Sequence, residues 1–224
     1  MEIAFLLYPG MTALDFVGPH EVLCRLPGVV IRRVSKQPGP VKTDSEVQLI
    51  AECGFGDATR PDVLVVPGAA SATDMRDEPE ILDWVRNAHA GTTWTTSVCT
   101  GSLILGAAGV LSGLKATTHW AALDRLLIYG AEPTQSRVVE AGKVITAAGV
   151  SAGIDMALLL TAKLAGQMTA QALQLAIEYD PTPPFGSGSP AKAPDTLAAR
   201  VASRVRAKFV YADVHLTGIS RQIP

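Results

Sequence analysis

The sequence predicts a three-layer α/β fold built on a mainly parallel central sheet, and three observations carry that reading. Short apolar runs such as Ile3-Ala4-Phe5-Leu6-Leu7 and Val63-Leu64-Val65-Val66 have the unbroken hydrophobicity of strands covered on both faces. Segments with apolar residues at helical spacing alternate with them, which is the pattern of a sheet layered between helices. The 224 residues are 48% apolar with a mean hydropathy of +0.25, enough for a substantial core in one large domain.

Taken in order, residues 2 to 7 read as a buried strand closed by Tyr8-Pro9-Gly10, and Leu14 to Leu23 as a helix with Asp15 near its start. Val29 to Val34 is a second strand, and Glu46 to Ile50 a short polar one after a break at Pro38-Gly39-Pro40. Residues 62 to 66 form a buried parallel strand that ends in the turn Pro67-Gly68, and Glu80 to Ala90 an amphipathic helix. The run Trp94 to Val98 is a strand that reaches Cys99, after which an apolar stretch of helical character begins. Gly109 to Gly113 connects to a helix over Trp120 to Ile128. Ser136 to Glu140 and Lys143 to Thr146 pair as a hairpin about Ala141-Gly142, followed by helices at Ile154 to Leu164 and Thr169 to Tyr179. Asp180 to Pro194 holds five prolines and reads as a surface strap without regular structure, before a last helix from Thr196 to Lys208. Residues 1 to 208 thus form a single domain, and residues 209 to 224 a strand or a partly ordered tail.

Charge and cysteine content narrow the function. Lysine and arginine number 19 against 21 aspartates and glutamates, so the chain lacks the basic field that nucleic acid or an acidic membrane would require. The strand begins directly after Met1, with no charged leader, and no apolar run is long enough to span a bilayer; a cytoplasmic protein is expected. Cys24, Cys53 and Cys99 are odd in number and lack metal-ligand spacing, so neither a disulfide framework nor a zinc site is expected. Cys24 and Cys53 read as structural.

Cys99 is different. A β-favouring run delivers it to Thr100-Gly101-Ser102 and then to a helix, which places it on a tight strand-to-helix turn resembling a nucleophile elbow. The free amides and partial positive charge of a helix start favour the thiolate there. In open α/β sheets ligands collect beyond the carboxyl ends of the strands, and three segments converge at that edge: the Asp15 region, Pro67-Gly68-Ala69 and Cys99. Asp15 reads as a general acid/base for the thiol, a role compatible with capping its helix. The amides of Thr100 and of the Gly68-Ala69 turn are placed to stabilise developing negative charge, and the Thr100 hydroxyl either bonds the substrate or caps the helix. Two secondary candidates stand behind these. His119 is read first as a packing or capping residue and second as a Cys-His partner, and Glu21 as a solvated residue or a second acid. Asp155 reads as serving the start of its helix.

The motifs Asp15-Phe16-Val17-Gly18-Pro19-His20-Glu21-Val22, Val66-Pro67-Gly68, Ser97-Val98-Cys99-Thr100-Gly101, Ala116-Thr117-Thr118-His119-Trp120 and Ala148 to Met156 together resemble the ThiJ/PfpI superfamily, over about residues 1 to 208. The resemblance implies a flavodoxin-like sandwich of the class I glutamine-amidotransferase type. With Tyr179-Asp180-Pro181-Thr182-Pro183-Pro184-Phe185, the motifs look most like the branch that hydrates isonitriles to N-substituted formamides. It implies Cys99 as nucleophile, Asp15 as acid/base, Thr100 lining the pocket, a small-molecule substrate, a homodimer, and no metal or organic cofactor. Ala69 stands where the superfamily has a second glycine, so a positive φ there would strain the turn. Thr100 replaces the histidine that follows cysteine in the peptidase branch, which argues against peptidase activity. Competing readings are a glyoxalase- or deglycase-like enzyme and a ligand-sensing domain like those of AraC-type regulators. For the latter, residues 209 to 224 leave no space for a helix-turn-helix module.

Overall fold

The computed structural model describes residues 1–58, 60–69 and 78–217, with side chains through residue 207. Two compact units are distinguished, Met1–Tyr179 and a second beginning at Asp180. The first is a six-stranded sheet flanked by helices. Its strands are β1 (Glu2–Leu6), β2 (Val30–Val34), β5 (Val63–Val66), β6 (Trp94–Val98), β9 (Val138–Ala141) and β10 (Val144–Ala147), in the order β2-β1-β5-β6-β10-β9. All neighbours are parallel except the β10–β9 hairpin. Every residue of β5 and β10 is buried, as their uninterrupted apolar or small sequences require.

The helices fall into two packed groups, as two outer layers demand. The helices α1 (Ala13–Leu23) and α4 (Ala152–Ala165) pack together, and α4 packs on α5 (Gln167–Ala176). Separately, α2 (Pro79–Gly91) packs on α3 (Gly101–Ala107), and α3 on a 3₁₀ helix, Trp120–Tyr129, where the sequence predicted an ordinary helix.

Register positions the site. Val66 of β5 pairs with Ser97 of β6, and Ala147 of β10 pairs with Val98. The residues that follow these strands, Pro67-Gly68, Cys99 and Ala148-Gly149-Val150, therefore emerge side by side at one edge, next to Tyr8 at the end of β1.

Two sequence expectations need correction. Pro38-Gly39-Pro40 is not merely a break: Gly39–Lys42 is strand β3, paired antiparallel with β4 (Gln48–Ala51), because a two-stranded ribbon has free edges that accommodate a proline. A second small sheet joins β7 (Lys115–Ala116) to β8 (Glu132–Pro133). Residues 209 to 217 are neither strand nor tail, since helix α6 runs Asp195–Thr217; residues 218 to 224 of that expectation lie outside the described residues. The stretch after Tyr179 has no regular structure until α6 begins at Asp195.

Candidate active site

Cys99 sits on the turn between β6 and α3 with a φ of 55°, a left-handed conformation that only three non-glycine residues adopt among those described. The strain is held in place from every side. The Cys99 N–H donates to the carbonyls of Ala147 (3.1 Å) and Ala148 (2.8 Å), while its carbonyl accepts from the hydroxyls of Ser102 (3.2 Å) and Thr118 (3.0 Å). Thr117 anchors the same support by donating to the Ser136 carbonyl. Thr118, with its neighbour Thr117 anchored, thus braces the elbow. Glycine is obligatory at Gly101, where a Cβ would collide with the Val66 carbonyl.

Asp15 lies in the first turn of α1, fully buried, and its Oδ2 accepts from the Gly68 N–H at 2.8 Å. Oδ1 is also buried and has no hydrogen-bond partner among the described residues. Burial drives the Asp15 carboxyl up to about 8, reinforced by Asp44 and opposed by the Gly68 amide and the Cys99 thiol. The thiol is close enough to act on the carboxyl without forming an aligned hydrogen bond to Oδ1. At neutral pH this carboxyl holds its proton.

Cys99 is also buried, 6% exposed, and its thiol is pushed up to about 12 by burial first and by the Asp15 charge second. The amides of Thr100 and Val150 and the Thr100 hydroxyl oppose the shift but do not overcome it. The expectation of a resting thiolate is therefore corrected: desolvation outweighs the start of a seven-residue helix. The resting pair is a thiol facing a carboxylic acid.

The amides expected to be free donors are also engaged. Gly68 N–H is held by Asp15, and Ala69 N–H donates to Thr100 Oγ1 at 2.9 Å. Thr100 Oγ1 donates in turn to the Ala69 carbonyl at 2.6 Å, so the hydroxyl closes on both polar atoms of one residue instead of capping α3. Ala69 does not adopt a positive φ, and the strain anticipated there is absent. Gly68 must remain glycine, because a Cβ would lie 2.5 Å from the Thr100 amide nitrogen.

The secondary candidates have partners of their own. Glu21 is exposed and paired with Arg25 at 2.9 Å, so it is no second acid here. His119 accepts from the Ala121 N–H at 3.3 Å, stacks on Trp120 and packs against Gly149; burial lowers its pKa, and it caps the 3₁₀ helix. Cys24 and Cys53 are free thiols; Cys24 contacts the Glu21 carbonyl and Cys53 bridges to Val34. Asp155 bonds Arg137 and the Tyr179 hydroxyl, the latter at 3.2 Å. Sequence reasoning did not single out Tyr8, Asp44, Thr118 or Val150 as acting on this site. Tyr8 and Val150 at least carried a usable signal, since each follows the carboxyl end of a parallel strand.

Comparison with known proteins identifies the family and the fold. Residues 1–163 match the family model described as DJ-1/PfpI family. A protein of Pseudomonas putida named isonitrile hydratase is 45% identical over 204 residues, covering 91% of this chain and 90% of that protein. The HTH-type transcriptional regulator CdhR of Pseudomonas aeruginosa is 30% identical over 74% of this chain but only 51% of its own length. A crystal structure of a ThiJ/PfpI family protein from Pseudomonas syringae superimposes with a TM-score of 0.91 at 41% identity, over 95% of this chain and 89% of the other. Drosophila melanogaster DJ-1beta shares the fold, with a TM-score of 0.70 at 22% identity over 79% of this chain and 97% of the other.

Proposed function

Because the chain belongs to the DJ-1/PfpI family, and its 45% identical relative is named an isonitrile hydratase, we propose that it hydrates an isonitrile to an N-substituted formamide. The observation that carries the reading is a buried, proton-holding Asp15 beside Cys99, with one carboxyl oxygen unpartnered. The terminal carbon of an isonitrile bears a lone pair and must be protonated before a nucleophile can attack it. A carboxylic acid that stays neutral near pH 7 supplies that proton.

The steps balance on these two residues. Asp15 gives its proton to the isonitrile carbon, the Cys99 sulfur bonds to that carbon, and the thiol proton passes to the Asp15 carboxylate. The product is a thioimidate, and the carboxyl is protonated again. Water then adds to the thioimidate carbon while a proton reaches nitrogen, with Asp15 relaying it. Breaking the carbon–sulfur bond releases the formamide, and the hydroxyl proton of the intermediate returns to sulfur. The amides of Thr100 and Val150, which act on the sulfur, favour it while it carries negative charge. Thr100 also lines the site through its hold on Ala69.

The engaged amides favour this chemistry over a glyoxalase- or deglycase-like one. Attack on a carbonyl develops charge on oxygen and calls for free donors, yet Gly68 and Ala69 already have partners. Addition of the thiol to an isonitrile develops its charge on carbon and nitrogen, with none on oxygen. No metal or organic cofactor enters the reaction as written. A cytoplasmic homodimer acting on a small molecule belongs to the same reading, supported by three free cysteines and by exposed Leu14, Val17 and Leu159 on the packed helices α1 and α4. Among the described residues no helix is long and apolar enough to cross a membrane.

Incubation with an alkyl isonitrile and, separately, with methylglyoxal tests the proposal. Formamide formation that disappears in Cys99→Ala supports it. Turnover of methylglyoxal alone would move the chain to carbonyl chemistry, and inertness to both would favour a ligand-sensing role like that of a regulator's domain.

A further inference from the structure

The Pro67–Gly68 peptide group links Asp15 to a residue outside the reacting pair. Its N–H and C=O point in opposite directions, as in any trans peptide. On one side Gly68 N–H donates to Asp15 Oδ2 at 2.8 Å. On the other, the Pro67 carbonyl accepts from the Tyr8 hydroxyl at 2.9 Å. Both bonds are buried, and the Gly68 carbonyl accepts from the Thr12 N–H at 2.8 Å.

We propose that Tyr8 is a positioning residue for the reaction, holding the Pro67–Gly68 peptide so that its N–H meets the Asp15 carboxyl. This rests on the reading of Asp15 as the acid. The proline ring fixes φ at position 67, so the peptide turns only about the Pro67 ψ and the permissive Gly68 φ. The Tyr8 hydroxyl stops that rotation. A buried tyrosine needs some acceptor, but this one falls on the carbonyl whose own peptide carries the donor to Asp15. Tyr8 contributes no charge of its own, since burial and the nearby Asp15, Cys99 and Asp44 keep its hydroxyl protonated well beyond the usual tyrosine range. The groups acting on the Asp15 proton are then the Gly68 amide, Asp44 from the β3–β4 turn and Cys99 from the elbow.

Tyr8→Phe in the full chain tests this. Without the hydroxyl the Gly68 amide drifts from Asp15, and the Asp15 midpoint moves up by about one pH unit, seen in a ¹³C carboxyl NMR titration without substrate. With an alkyl isonitrile, kcat falls roughly tenfold while KM stays within about twofold, and the alkaline limb of the rate profile moves with the midpoint. Trp84→Phe is the control. It removes another buried side-chain bond, Trp84 Nε1 to the Ala58 carbonyl at 2.9 Å, and should leave the Asp15 midpoint unchanged. A ring-fluorinated tyrosine at position 8 preserves the packing if Tyr8→Phe does not fold; its stronger donor polarises the peptide and moves the midpoint down. An Asp15 midpoint equal to the parent's in the folded variant overturns the proposal. If the parent makes no formamide but the midpoint still shifts, the hold of Tyr8 on Asp15 stands and the isonitrile reading falls.

Discussion

Replacing Asp15 with asparagine should stabilise the fold increasingly as pH rises. The Asp15 carboxyl is raised from 3.8 to about 8, so between those values the folded chain keeps a proton that the unfolded chain has released. The stability this proton contributes is fully present below 3.8 and is lost as pH rises towards 8, at about 1.4 kcal/mol per pH unit. Asparagine keeps an oxygen for the Gly68 N–H and does not titrate. From pH 5 to pH 7 the stability of Asp15→Asn relative to the parent should therefore improve by about 3 kcal/mol. Cys99 does not interfere, because burial raises its thiol from 9.0 to about 12, outside this window. Urea denaturation of both proteins at pH 5, 6 and 7 and constant ionic strength gives the comparison. Parallel profiles, with a gap constant to within about 1 kcal/mol, would mean that Asp15 is not held protonated and would remove the acid from the proposed chemistry.

On the proposed chemistry the acid form of Asp15 protonates substrate, so kcat/KM should be sustained below about pH 8 and fall as pH rises through that value, read from initial rates across pH. Cys99→Gly should be more stable than Cys99→Ala by about 1 kcal/mol in urea, because glycine relieves the positive φ of the elbow. Thr100→Val strands both polar atoms of buried Ala69 and should cost about 2 to 3 kcal/mol, whereas Thr100→Ser should recover most of it by the same measurement.

What could be read from the chain was whatever local order dictates. A β-favouring run into Cys99, followed by Thr100-Gly101, placed the elbow, and the all-apolar strands placed the sheet. Glu21 was open to exclusion by helical arithmetic, since six residues from Asp15 is about 240° around a helix. Other features depend on what folding brings together. The protonation of Cys99 and Asp15 follows from burial that only the folded chain provides, and the partners of the Gly68 and Ala69 amides are Asp15 and Thr100, distant along the chain. Val210, Tyr211 and Val214 favour strands locally, but an established helix adds each residue for one more hydrogen bond, and α6 continues through them. Tyr8 read as part of a turn because its partner is 59 residues away.

A thiol that keeps its proton inside the protein bears on survival under oxidants as well as on turnover. Peroxides attack sulfur mainly as the exposed anion, the first rung of damage that ends in irreversible acids. Buried and raised to about 12, the Cys99 thiol offers little of that anion at neutral pH, so the same desolvation that delays the proposed chemistry should also slow oxidation of the sulfur.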